Sequence, residues 1–248
     1  MSLGCNHPLH FSPAVVQLNR NDPNNINSTS VFLAQVTNSL LDPDTRNSST
    51  PSKLVVKKLT SIGNNPPAAD TAFGTSGEIH LSAGTSCSGT NCLCGKAETI
   101  KTNSATDCGA GGYTIPDGAR PTGSPVAVIR SDGAGFQLYT TWYSPPANNW
   151  DNCPTSSTNG NSYITIHEFL ANGTWAQLSG IAIPHQYVTG VQFVGTTLFV
   201  TFGLNSQNDN KPEGWPDVGQ TFVSVDKVLK SLAGDRFVRT AWTERLDQ

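Results

Sequence analysis

The stretch LNSQNDNKPEGWPD, residues 204–217, spaces oxygen-bearing side chains at Asn205, Gln207, Asp209 and Glu213. Counted from Asn205 these are positions 1, 3, 5 and 9. Calcium takes oxygen ligands from short loops with this alternate spacing. Only Asp209 and Glu213 are carboxylates, so the charge count points to weak calcium binding. Pro212 stiffens the second half of the loop, which also argues against a tight site. The competing reading is a solvated polar hairpin tip.

A second group of reactive residues is the run CSGTNCLCGKAETIKTNSATDC, which holds Cys87, Cys92, Cys94 and Cys108. With Cys5 and Cys153 the chain has six cysteines. An even count in a polar, loop-rich chain suggests disulfides formed in an oxidising compartment. A zinc site is the alternative. The spacings, C-x4-C-x-C-x13-C, do not match a zinc ribbon or knuckle, and the nearest histidine, His80, precedes the cluster. Spacing favours disulfides. Connectivity is left open.

Other chemistry is sparse. His167 and Glu168 lie in YITIHEF, an alternating strand, so their side chains point to opposite faces. No second histidine follows His167 at i+4, as a zincin pair would need. His7, His10 and His185 stand in loop-like contexts. A G-x-S-x-G elbow, a P-loop and a dinucleotide fingerprint are all absent from the sequence. Trp142, Tyr143 and Trp150 flank SPPANNWDNC and could grip a sugar or peptide, but Trp142 and Tyr143 read better as the end of a core strand. NGTW, from Asn172, reads as an Asn-Gly hairpin turn. Asn27, Asn47 and Asn172 each begin an N-x-[ST] sequon.

These residues need elements to position them. The chain has 248 residues, 13% of them charged, with a net charge of −3 and a pI near 5.9. The length allows one large domain with a substantial core. Low charge with abundant Ser, Thr, Asn, Gly and Pro suits an exported β-protein with many polar turns. The absence of a basic patch excludes nucleic acid as a partner class. No apolar run reaches the length of a membrane span. Met1-Ser2-Leu3-Gly4 lacks the basic and apolar regions of an export signal and reads as a cloning scar on an excised fragment.

Three hairpins recur. SPAVVQLNRNDPNNINSTSVFLAQVTN starts at Ser12, SPVAVIRSDGAGFQLYTTWY at Ser124 and TGVQFVGTTLFVTFG at Thr189. Each has a small residue with Pro or Gly, an apolar strand, a polar turn and a second, more apolar strand. A third strand follows each: SKLVVKKLTS, NSYITIHEFL and QTFVSV. GEIHLSA, TWAQLS and VRTAWTERL supply a fourth. Four consecutive antiparallel strands, repeated, are the mark of β-propeller blades. The expected fold is therefore all-β and propeller-like, a single domain over 1–248. Blade-like units fall at about 12–83, 124–179 and 188–246, with a Cys-rich insert at 84–120. Three blades do not close a ring, so the propeller is incomplete or modified, with upstream domains of the parent protein missing. VDKVLKSLAG is the single stretch with helical character.

The closing strand RFVRTAWTERL resembles the R-x-x-W-R-E strand that ends the C-terminal propeller of PilY/PilC-type pilus biogenesis and tip adhesin proteins. PVAVIR with YTTWY, YVTGVQFVGTTLFVTFG and DGARPTGSPVAV resemble other segments of that region. The resemblance covers about the last 130 residues. It implies a quinoprotein-like propeller, no catalysis, an extracellular or outer-surface location, and a role in type IV pilus biogenesis and cell adhesion. Its partners would be pilus components or a host-surface receptor. That family carries a nine-residue calcium loop rich in Asp at positions 1, 3, 5 and 9. Asn205 to Glu213 match it in position type but depart from it in charge. The alternative function is a secreted propeller that binds or hydrolyses glycans.

Overall fold

The computed structural model describes residues 12–18, 30–37, 53–60, 68–82, 86–87, 92–94, 101–102, 113–116, 119–130, 133–144, 160–183, 187–194, 197–204, 217–224 and 239–240. These residues are all-β, with predominantly antiparallel sheets and no helix among them.

The first sheet is a meander. Strands β1 (Ala14–Leu18), β2 (Ser30–Thr37), β3 (Lys53–Thr60) and β5 (Glu78–Ser82) pair antiparallel in chain order, and β4 (Ala68–Ala69) pairs with the end of β3. β1 alternates buried and exposed residues along AVVQL, as a strand with one covered face must. Between β4 and β5 the chain makes a tight loop. Asp70 organises it: its Oδ1 accepts the Ala72 N–H at 3.1 Å, and Oδ2 pairs with Lys58 Nζ at 2.8 Å. That hydrogen bond to Lys58 holds the Asp70 carboxyl below its usual range. The loop drives Phe73 into the core, 5.6 Å from Phe32.

The central sheet is built on a second meander, β11 (Val126–Ile129), β12 (Gly135–Ser144), β13 (Asn161–Leu170) and β14 (Trp175–Ile183). The turns joining β11 to β12 and β13 to β14 are local. Arg130 N–H donates to the Gly135 carbonyl across a turn holding Gly133 at φ +69°, and Leu170 N–H to Thr174 across one holding Gly173 at φ +92°. Ahead of β11, β10 (Arg120–Pro121) pairs with the far end of β12. The third sheet is β15 (Tyr187–Val194), β16 (Thr197–Leu204) and β17 (Asp217–Ser224), again antiparallel in chain order.

The first and third sheets cover opposite faces of the central one. Phe136, Leu138, Phe169 and Ala127 share a core with Val16, Phe32, Leu54 and Ile79 of the first sheet. Tyr139, Ile164, Ile166 and Ile181 share another with Val191, Phe193, Leu198 and Val200 of the third. All ten residues of β12 are consequently buried. A strand covered on both faces cannot show the alternation of β1. A smaller cluster, Ile115, Ala119, Trp142, Tyr163 and Ala182, covers the remaining end of the first face.

Two features differ from the sequence expectation. The Cys-rich stretch is not simply loop. It supplies β6 (Ser86–Cys87), β7 (Cys92–Cys94), β8 (Lys101–Thr102) and β9 (Tyr113–Thr114). β7 adds in parallel to β14, and β6 pairs with β9. In addition Arg239 and Thr240, expected in the fourth strand of the third unit, form β18 (Arg239–Thr240) on β11 of the central sheet. Unpaired N–H and C=O groups along the outer side of β11 offer a template that any nearby extended segment satisfies.

Candidate functional site

Polar side chains gather inside the central sheet. Thr140 and Thr165 face each other across β12 and β13, and His167 stands opposite Leu138. All three polar groups are buried. Trp142 Nε1 donates to Thr165 Oγ1 at 3.0 Å. Among the described residues, neither the Thr140 hydroxyl nor His167 Nδ1 has a hydrogen-bond partner. Burial pulls the His167 imidazole down to a pKa of about 4, so it is neutral at ordinary pH.

The opposite face is arranged differently. Arg130 Nη1 pairs with Glu168 Oε1 at 2.9 Å, with both side chains mostly buried. Tyr139 donates to Gln137 Oε1 at 2.8 Å. Burial, reinforced by the Glu168 charge, raises the Tyr139 hydroxyl well above its usual range. His167 and Glu168 therefore project to opposite sides of the sheet, as their alternation requires. They cannot act on one substrate atom. Among the described residues no three His, Cys, Asp or Glu side chains come together as metal ligands.

Trp142 and Tyr143 are buried core residues, as their place at the end of a strand suggested. The backbones of Cys87, Cys92 and Cys94 lie opposite Tyr113, Gly180 and Ala182. Cys108, Trp150, His7, His10, His185, the 225–234 stretch and the loop holding Asn205, Gln207, Asp209 and Glu213 lie outside the described residues.

Trp175, by contrast, is exposed; the sequence places it in the fourth strand TWAQLS, after the Asn-Gly turn, and gives it no binding role. It begins β14 directly opposite Phe169, which is itself opposite Phe136. The rings stack in that order. Phe136 and Phe169 lie 5.2 Å apart at 14°, and Phe169 and Trp175 6.2 Å apart at 15°. Phe136 and Phe169 are fully buried, and Trp175 is 42% exposed. His167 flanks the same indole at 6.2 Å. The available signal was an aromatic at one cross-strand position on three successive strands.

No family model, curated protein or solved structure matches this chain. No helix among the described residues is long and apolar enough to cross a membrane.

Proposed function

We propose that the chain is a non-catalytic binding and assembly module with propeller-type blades, serving an extracellular, pilus-associated protein in type IV pilus biogenesis and adhesion. The observation that supports this reading is the stacking of three antiparallel meanders, each made of sequence neighbours, with the second buried between the first and third. Successive blades of a propeller pack in this way. The pilus assignment rests on the motifs from Asp117 to the closing strand that resemble PilY/PilC-type proteins. The neutral, buried His167 and its separation from Glu168 suit a binding scaffold better than an acid–base site.

In this reading the partners are other pilus components or a receptor on a host surface. Calcium held by Asn205, Gln207, Asp209 and Glu213 and disulfides among Cys87, Cys92, Cys94 and Cys108 would be accessory features. The test is removal of codons 12–246 from the encoding gene, followed by counts of surface pili and attached cells. Loss of either supports the assignment. Unchanged piliation and attachment, with glycan or ester hydrolysis by the purified chain, would replace it with the enzyme reading.

A further inference from the structure

The turn between β13 and β14 carries the triplet Asn172-Gly173-Thr174, which the binding-module reading leaves unused. An N-x-[ST] triplet arises easily by chance in a chain rich in Asn, Ser and Thr. What gives it chemical meaning is a surface turn, because the asparagine amide must enter the active site of another enzyme. Of the three sequon asparagines, Asn172 is the one among the described residues.

The backbone of this turn is fixed. Leu170 N–H donates to the Thr174 carbonyl and Gly173 N–H to the Leu170 carbonyl, both at 2.9 Å. Beside it, Ala171 packs against the core shared with the first sheet, and its carbonyl accepts the Ser30 hydroxyl at 3.3 Å. The two residues that matter to the triplet are not part of that packing. Asn172 and Thr174 are both exposed. Thr174 N–H donates to Asn172 Oδ1 at 2.9 Å, so the asparagine and the threonine are held together in one compact turn. Among the described residues nothing bonds to Asn172 Nδ2, the atom that would react.

We propose that Asn172 is the acceptor for an N-linked glycan, attached by a glycosyltransferase as the chain is exported. The donor is an activated sugar of the lipid-linked pyrophosphate class. Asn172 Nδ2 attacks the anomeric carbon and forms the new N–C bond. The C–O bond to the pyrophosphate breaks, and its electron pair leaves with the phosphate oxygen. One Nδ2 proton passes to a base of the transferase. Thr174 supplies the hydroxyl that the transferase reads at the third position of the triplet. Because both side chains are exposed, a sugar at Asn172 requires no rearrangement of the β13–β14 pairing. The proposal rests on the reading of the chain as extracellular, but not on its place at a pilus.

The test uses the full chain, directed into the secretory pathway of cells that attach N-linked glycans. Peptide mapping of the secreted chain by mass spectrometry should find sugar on the peptide holding Asn172. Asn172→Gln and Thr174→Ala should each abolish it, while Thr174→Ser keeps it because the hydroxyl is retained. Melting temperatures close to the parent's in all three variants separate loss of the acceptor from loss of the fold. An unmodified Asn172 in the secreted parent chain overturns the proposal, as does sugar confined to Asn27 or Asn47, or sugar persisting at Asn172 in Thr174→Ala. Location is tested separately by fractionating the source cells. Chain recovered only from their interior would overturn the extracellular reading, whatever the secreted chain carries.

Discussion

Thr122 Oγ1 donates to the Val188 carbonyl at 2.7 Å, joining the segment that opens the central meander to the first strand of the third sheet. The same hydroxyl shares a 3.0 Å hydrogen bond with Thr141 Oγ1, and the Val188 N–H is bound by Ser162 Oγ at 2.9 Å. Val188 is therefore held at both backbone groups by the central sheet. Thr122→Val should leave a buried carbonyl without its donor and cost about 1–3 kcal/mol. Thr122→Ser should lose much less. Urea unfolding of the two variants measures the difference. Equal stabilities would mean that the third sheet is held by its apolar contacts alone.

His167 makes stability depend on pH. Its folded pKa of about 4 lies below the unfolded value of 6.5, so between those values the unfolded chain binds the extra proton. Stability from this group is complete above about pH 6.5 and falls as pH drops toward 4, by up to about 3 kcal/mol. His167→Leu should flatten the curve across that window. Melting temperatures from pH 7 to 4 report it, and a variant with the parent's slope would place the proton uptake elsewhere.

Two glycines with left-handed backbone should respond differently to alanine. Gly74 has φ +59°, and a Cβ there would overlap the Glu78 carbonyl and approach Ile79 Cγ1 to 2.6 Å. Gly133 has φ +69° with open space around it. Gly133→Ala should cost only the left-handed penalty, about 1 kcal/mol. Gly74→Ala carries that penalty plus a clash with backbone, and should unfold at distinctly lower denaturant.

Among Cys87, Cys92, Cys94 and Cys108, most thiols are expected to be oxidised in material from an oxidising compartment. Each closed loop typically stabilises by roughly 2–4 kcal/mol. Peptide mapping without reductant tests this. Free thiols with stoichiometric zinc would reverse the assignment.

Calcium is expected to bind the Asn205–Glu213 loop weakly, with a dissociation constant of about 10⁻⁴ to 10⁻³ M. Calorimetric titration should show heat that disappears in Asp209→Ala. A parent chain silent through the millimolar range leaves a polar hairpin tip.

Much of the local architecture is legible in the amino-acid order. Alternation in AVVQL, the turns at Gly133 and Gly173, and the fourth strand GEIHLS all follow from neighbouring residues, because a short loop closes its strands at little entropic cost. Opposite faces for His167 and Glu168 follow from the two-residue period. Tertiary structure alone decided the rest. Backbone hydrogen bonds carry no side-chain identity, so nothing in RFVRTAW marks β11 as the strand that Arg239 and Thr240 join, nor does CLC announce a parallel partner in β14. Burial is equally non-local. Trp142 and Trp175 both lie in apolar strands, yet Ile115 and Ala119 cover the first while the second remains 42% exposed at the end of its ladder. His167 is neutral because burial in the folded chain keeps water from it, which the residue type and its neighbours in sequence do not disclose.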